Sequence, residues 1–433
     1  KMSKQAILKL DEKEFEFPVI EGVEAEKAVD FRTLRSRTGW VSYDEGYGNT
    51  GSCQSEITYV DGEQGILRYR GIPIEQLADS SDFLESSYMI LYGDLPTQVE
   101  LDQFHARICD NAAVSPLMSD ALKGMPSDAP PMGVLGCLLS AMSCYNSELA
   151  TNDRALDVEN VDKAAAVAIS QTATAAALSY RISKGLDGNR PDPSLSFADN
   201  FLHLMFSEGG KPYEPVAEVS RALDLMLLLH ADHEQNCSTS TVRMVASGGA
   251  NLFASVGAGS NALWGPAHGG ANMAVIKMLE EIRESGDDGS NFIEQAKSGK
   301  SGKRLMGFGH RVYKSFDPRA KIIGKACDDL LNKLGINDPC LDIARNLEKA
   351  ALADEYFIAR NLYPNVDFYS GIVLRTLGIP ANMFTVMFAI GRMPGWVANW
   401  REIALNPKGR INRPRQIYQG PAKRDYIPIE DRS

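Results

Sequence analysis

The chain is poor in the features that mark membrane, secreted and nucleic-acid-binding proteins. No stretch approaches the roughly 18 uninterrupted apolar residues of a membrane span. The start, KMSKQAILKL, has no long apolar run and no small-residue cleavage site, so a secretory signal is not expected. The seven cysteines (53, 109, 137, 144, 237, 327, 340) include no C-x-x-C pair and are odd in number. That pattern reads as reduced thiols in a cytoplasmic protein rather than a disulfide framework. Basic residues are outnumbered, 45 against 56 acidic, for a net charge of −11. General nucleic-acid binding needs a basic face, so that partner class is not expected, and a locally cationic stretch gains weight as a focus for small anions. There is no sequence repeat and no low-complexity tract. Histidine is scarce, six in 433 residues, so each one can be weighed.

What is present is an ordinary globular balance, 44% apolar and 23% charged, over a length that allows two or three domains and a large core. The first part has a short period. EFEF at 14–17 alternates, and strand-like runs at 55–60 and 65–69 flank Asp61-Gly62, which predicts a hairpin closed by a D-G turn. After Gly71-Ile-Pro73 the period becomes helical. Helices are expected over 82–92 (capped from Ser80 or Ser81), 97–109, 161–183, 196–206, 215–230, 273–282, from Asp317-Pro318 to Leu334, 341–353, 368–377 and 383–400. Residues 132–144 read as a buried apolar segment and 148–162 as a polar loop. The fold class is therefore mainly α, with a short β-rich N-terminal unit over 1–69.

The stretch RLMGFGHRVYKSFDPR, residues 304–319, concentrates the chemistry. Gly307 and Gly309 bracket Phe308 and let backbone amides approach a ligand closely. Arg304, Arg311, Lys314 and Arg319 crowd the same segment, and Lys297, Lys300 and Lys303 lead into it. A cationic loop carrying one histidine, His310, suits an anion held beside a group that gives or takes a proton; the bland alternative is a solvated basic turn. A second histidine, His268, lies in GPAHGGAN at 265–272, just ahead of an amphipathic helix. The positive end of that helix disfavours imidazolium, so a neutral ring there would donate a hydrogen bond to a carbonyl or enolate oxygen, unless it merely fills a turn.

Asp367 follows Pro364-Asn365-Val366 and precedes a helix. It reads as an N-cap or, desolvated by Val366 and Phe368, as a general base with a raised pKa. Arg392 stands in so apolar a helix that it needs a carboxylate, from the protein or from a ligand. Arg319 and Arg413 add two planar forks suited to carboxylates. His230-Ala-Asp-His233-Glu234 has a spacing that could bind a metal. It matches neither H-E-x-x-H nor its inverse, and no cysteine ligands cluster nearby, so no metal is expected. GAGSNA at 257–262 lacks the strand–helix–strand setting of a dinucleotide fingerprint, and Gly299-Lys300-Ser301 lacks the upstream glycine of a P-loop. His105 falls in a polar helix, and His203 in an apolar one, where it reads as a core residue.

Taken together, LHADHEQNCSTSTVR, WGPAHGGAN, MGFGHRVYKSFDPRA, LYPNVDFYSG and the RPRQ tail occur in the order found in citrate synthases, and the chain resembles that family over nearly its whole length. The segment FRTLRSRTGWVSYDEGYGNTGSCQSEITYVDGEQGILRYRG is similar to the bacterial branch that is commonly hexameric. The resemblance implies condensation of acetyl-CoA with oxaloacetate and hydrolysis of the citryl thioester, with no cofactor, since coenzyme A enters as the substrate's thioester. By motif, Asp367 is the base, His268 donates to the thioester oxygen and His310 polarises the oxaloacetate carbonyl. His233, Arg319 and Arg392 hold substrate carboxylates. Arg413 reaches in from a neighbouring subunit, with Arg415 as the fallback because one extra residue separates it from Arg392. Arg304, Leu305, Met306, Gly307, Gly309 and Asn365 contact coenzyme A. The implied assembly is a homodimer with a shared site, gathered into a hexamer as a trimer of dimers.

With the resemblance, the helical body divides into a large domain over 70–270, a smaller mobile one over 271–380, and a C-terminal helix and tail over 381–433 that return to the large domain. Some relatives are inhibited by NADH through basic residues near Asp110-Asn111 and in the 161–183 helix; those stretches are acidic, neutral and alanine-rich here, so weak or no sensitivity is expected. The rival within the same chemistry is a 2-methylcitrate synthase using propionyl-CoA. The rival from another class is a metal-dependent hydrolase built on His230, His233 and Glu234.

Overall fold

Runs of helical period closed by side-chain caps make up most of the computed structural model, which describes residues 4–151, 153–209, 211, 213–298 and 302–432. Lys300, and with it the Gly299-Lys300-Ser301 triplet, lies outside the described residues. Among the described residues there are nineteen α-helices and two three-stranded antiparallel sheets, the mainly α class expected from the sequence. No helix among them is long and apolar enough to cross a membrane.

Two compact units are found. The smaller comprises residues up to Ser55 together with those from Asn412 onward; the larger is Glu56–Ile411. In the smaller unit, strands Gln5–Leu10, Lys13–Glu21 and Lys27–Val29 pair antiparallel, with Ala6 opposite Phe17 and Ile20 opposite Ala28. Phe17 is the buried residue of this sheet, edge-on to Phe31 at 5.3 Å and beneath the Arg37 guanidinium at 4.9 Å.

In the larger unit, strands Thr58–Asp61 and Ile66–Tyr69 pair with Asp61 opposite Ile66. The connection is therefore the stretch from Gly62 to Gly65, not a D-G turn. The Asp61 carboxylate explains the difference. It accepts from the backbone N–H groups of Glu63 and Gln64, both at 2.9 Å, and folds the longer loop onto itself.

The helix Phe384–Ala404 organises the rest. Every residue from Phe384 to Trp400 is buried, as its apolar circumference requires, and helices Phe83–Tyr92, Val161–Ser183, Ala217–Leu229, Cys237–Ser247 and Leu252–Leu263 pack around it. Pro394 lies inside this helix. Near the break, the Gly395 N–H bonds outward to the Ala231 carbonyl at 3.1 Å. A Cβ on Gly395 would stand 2.3 Å from that oxygen and 2.5 Å from Asp232 Oδ1, so only glycine lets the 230–233 turn lie against the helix. That crossing brings the turn to Arg392, which is 1% exposed. A second group of helices, Ala271–Glu284, Ser290–Ser298, Pro318–Leu334, Pro339–Ala353 and Asp367–Thr376, pack on one another and carry the loops that contain His310 and Asn365.

Local differences from the sequence reading have physical causes. Asp82, not Ser80 or Ser81, caps Phe83–Tyr92 by accepting from Glu85 N–H. The polar loop expected over 148–162 contains the helix Arg154–Glu159, capped by the Asp153 carboxylate. The GAGSNA stretch is interior to the helix Leu252–Leu263. The first testable consequence concerns the crossing. Gly395→Ala should lower unfolding stability by about 1–3 kcal/mol in urea titration, the range for overpacking a filled site. Gly51→Ala, where a Cβ meets nothing within 4 Å, should change it little.

Candidate active site

The turn between Ala217–Leu229 and Cys237–Ser247 supplies the first two histidines. His230 is the C-cap of its helix, and Glu234 takes a left-handed backbone (φ 50°), so the His230–Glu234 stretch is a turn and not the helical face the metal reading needs. The His230 ring is buried, with Nδ1–H donating to the Met226 carbonyl at 2.7 Å, whereas Glu234 is exposed. Among the described residues no group of three His, Cys, Asp or Glu side chains is placed to hold a metal ion. His233 is buried with Nε2 3.1 Å from Tyr313 Oη, and its ring is 5.2 Å from that of His310.

His310 is placed by its glycines. Gly307 and Gly309 both take left-handed φ, 77° and 79°. Their backbones pair with the 363–365 strand-like segment: Gly309 N–H donates to Tyr363 O, and Asn365 donates through its N–H to Gly307 O and through Nδ2 to Gly309 O, all within 2.8–2.9 Å. This pairing sets the His310 and Asp367 segments side by side. His310 Nδ1 accepts from the backbone N–H groups of Val312 (3.0 Å) and Tyr313 (3.3 Å). A nitrogen that accepts carries no proton, so the ring is neutral with its N–H on Nε2. Burial, and next the Arg319 charge, bring its pKa down to about 4.

Asp367 opens the helix Asp367–Thr376 but caps nothing, so the N-cap reading is corrected. The Asn365 side chain takes that task, accepting the Asp367 N–H at 3.0 Å and leaving the carboxylate free. Burial pushes the Asp367 carboxyl up to about 6 against the opposing pull of Arg319 and Arg392. Arg319 has a partner within the chain, Asp317. Its Nε and Nη2 donate to the two oxygens of Asp317 at 3.0 and 2.9 Å, and Asp317 Oδ2 also accepts from Val366 N–H. Both members of this pair are buried; the ion pair keeps the Asp317 carboxyl low and the guanidinium high despite burial.

Arg392 is different. Its Nε donates to the His230 carbonyl at 2.6 Å, its guanidinium sits 5.0 Å from the Phe388 ring, and its Nη1 is buried without a hydrogen-bond partner. Burial draws its pKa down to about 10, with Asp232 the leading opposing charge. Asp232 does not complete the pair: it accepts from Thr58 Oγ1 at 2.6 Å and leaves Oδ1 unpartnered.

His268 Nε2 accepts the backbone N–H of Ser238 at 3.2 Å and lies 2.9 Å from Ser238 Oγ. A backbone N–H can only donate, so the ring proton belongs on Nδ1. The donor stands in the first turn of Cys237–Ser247. The helix end that disfavours imidazolium is thus this one, added to the Ala271–Glu284 helix named from sequence. Burial and the Arg392 charge hold His268 near a pKa of about 4.

The two buried guanidinium groups tie the constellation together: Arg392 acts electrostatically on His268, His233 and Asp367, and Arg319 on His310, His233 and Asp367. Leu305 and Gly307 are buried, Met306, Gly309 and Asn365 half-buried, and Arg304 exposed. Arg413 and Arg415 are exposed and belong to the smaller unit. Tyr313, Asp317 and Ser238 belong to the site although the sequence reading passed over them. Only Asp317 carried a usable signal, an acid two residues ahead of an arginine across a helix-starting proline.

The family described as "Citrate synthase, C-terminal domain" matches residues 46–415. The chain belongs to the citrate synthase family. It is 48% identical to Citrate synthase 1 of Mycobacterium tuberculosis (strain H37Rv), with 97% of this chain and 96% of that protein covered. It is 45% identical to the citrate synthase of Corynebacterium glutamicum, with 99% and 97% covered. Among solved structures it resembles citrate synthase from Pyrobaculum aerophilum, with a TM-score of 0.82 and 37% identity over 96% of this chain and 98% of that one. It also resembles the Thermoplasma acidophilum citrate synthase solved as a ternary complex with carboxymethyl coenzyme A and oxaloacetate, with a TM-score of 0.81 and 31% identity over 90% and 100%. The protein is accordingly an acyltransferase of the citrate synthase type.

The raised Asp367 carboxyl has a measurable stability cost. A folded-state pKa of about 6 against the ordinary aspartate value of 3.8 means that the native state holds the extra proton between those pH values, so stability falls as pH rises through that window. Asp367→Asn should therefore melt a few degrees above the wild type near pH 8 and level with it near pH 4.

Proposed function

We propose that the protein joins the methyl carbon of acetyl-CoA to the ketone carbon of oxaloacetate and then hydrolyses the citryl thioester to citrate and coenzyme A. The observation that carries the reading is a free carboxylate with a pKa pushed up to about 6, set in the field of two buried arginines that also act on two imidazoles held neutral. A thioester methyl is a very weak carbon acid, and a carboxylate removes its proton only if the enolate oxygen meets a donor as charge develops. In this reading Asp367 takes the proton, His268 Nδ1–H stabilises the enolate oxygen, and His310 Nε2–H polarises the ketone oxygen. Neutral rings are suited to both tasks because they donate without trapping the developing anion as an ion pair.

Arg392, with Nη1 unpartnered, takes one oxaloacetate carboxylate, and Arg319 and His233 flank the other. Arg304, Leu305, Met306, Gly307, Gly309 and Asn365 meet coenzyme A, which is substrate and not cofactor. Arg413 completes the site from a second copy, so the working unit is a homodimer; three dimers form the hexamer, and the enzyme works in the cytoplasm. Residues 271–380 close as a mobile domain once oxaloacetate is bound, which keeps water from the thioester until the acceptor is in place. The seven cysteines are free thiols, in keeping with a cytoplasmic setting.

The direct test is release of free thiol from acetyl-CoA, which should depend on oxaloacetate and survive EDTA. Asp367→Ala should lose at least about 10²-fold in kcat, the lower range for acid–base residues, while oxaloacetate binding stays within a few-fold. Near-normal turnover would remove Asp367 as the base. The acid limb of kcat/KM should follow one group of pKa about 6, because Asp367 must be ionised and the two imidazoles stay neutral well below that pH. A higher kcat/KM with propionyl-CoA than with acetyl-CoA would instead identify a 2-methylcitrate synthase.

A further inference from the structure

We propose that the Gly62–Gly65 loop of the Thr58–Tyr69 hairpin is a positioning element for His310: it seats the loop after that histidine and so holds the ring in the tautomer that donates from Nε2. The inference rests on the role given to His310 above.

The contact is made through one peptide unit. On one side, the Val312 carbonyl faces Gly62 so closely that a Cβ on Gly62 would stand 2.2 Å from its oxygen and 2.7 Å from its carbon. On the other side, the N–H of the same peptide, that of Tyr313, donates to His310 Nδ1 at 3.3 Å. A peptide is planar, so a push on its oxygen turns its N–H. The neighbouring contacts fix the seat. Lys314 N–H donates to Gly62 O at 2.8 Å. Gly65, at φ 67°, would with a Cβ meet Phe316 O at 2.6 Å and Ser315 Oγ at 2.9 Å. The hairpin loop itself is stiffened by Asp61, which accepts from Glu63 N–H, Gln64 N–H and Gln64 Nε2, each at 2.9 Å.

A Cβ at position 62 therefore displaces the Val312 carbonyl and takes the Tyr313 N–H off Nδ1. Nδ1 then keeps only the Val312 N–H at 3.0 Å, and with one donor fewer it takes a proton more easily, which removes the donor at Nε2 or charges the ring. The groups that act on the ring from all sides are Arg319, Asp317 and Lys314, with the His233 ring edge-on to it and the Tyr313 ring tilted against it. None of them is altered in the test. Gly62 and Gly65 touch no reacting atom in this reading; they act through the 312–316 backbone.

The test uses the full chain. Gly62→Ala should lower kcat by about tenfold or more, with a smaller change in KM for acetyl-CoA, and should raise the acid limb of the pH profile as His310, held by one donor fewer, gains basicity. Glu63→Ala, at the exposed tip of the same loop, should match the wild type in both. Hydrogen exchange on the wild type gives a readout that needs neither activity nor a folded variant. The Lys314 amide should be protected although its side chain is exposed, and protection should be lost in Gly62→Ala while the Phe384–Ala404 helix stays protected. An unprotected Lys314 amide in the wild type, or Gly62→Ala with wild-type kcat and pH profile, overturns the proposal. Absence of any condensing activity in the wild type would instead overturn the assigned function and leave the exchange result to decide the contact.

Discussion

The structure depends on a buried guanidinium that the protein does not fully pair. Arg392 is 1% exposed, bonded once to a backbone carbonyl, and left with Nη1 unpartnered. An uncompensated buried charge costs several kcal/mol, so such an arrangement persists only where the rest of the fold over-determines it. Here the surrounding helix is buried along its whole central length, and the crossing at Gly391 and Gly395 fixes the neighbouring turn. Arg319 shows the contrast: equally buried, it is satisfied by Asp317 in a two-point pair. One arginine is paired within the chain, and the other keeps a buried nitrogen without a partner.

That imbalance shapes the protonation of everything near it. Positive charge from the two arginines, added to burial, keeps His233, His268 and His310 from becoming cations. Backbone N–H groups then select which ring nitrogen carries the single proton, in His268 through the first turn of a helix and in His310 through a tight loop. The same arginines oppose the rise of the Asp367 carboxyl and leave it near 6, basic enough to take a proton and still ionised at neutral pH. The charges, tautomers and base strength are one coupled arrangement, not separate features.

Much of this was legible in the sequence, and the limits are instructive. Long helices such as Val161–Ser183 and Pro318–Leu334 were found nearly to the residue because composition and the proline or glycine at their ends agree. The oddity of Arg392 was legible because a charge inside an apolar run is conspicuous by itself. The Asp367 cap was misread because a capping residue is defined by which side chain reaches the first amides, and Asn365 reached them instead. The helix expected over 215–230 ends at Leu229 with His230 as its C-cap, but the close packing of that turn on the crossing helix at Gly391 and Gly395 has no local signal. Partners that come from far along the chain, such as Ser238 for His268 or Tyr313 for His233, have no local signal.

The most direct measurement is the shift in melting temperature that oxaloacetate produces in the wild type and in Arg392→Met. A ligand that binds only the folded state raises the melting temperature with its concentration. The predicted result is a clear rise for the wild type and little or none for Arg392→Met, with the ligand-free variant melting within a few degrees of the wild type. An equal rise in both proteins would contradict the claim that the unpaired buried charge is the anchor of the substrate.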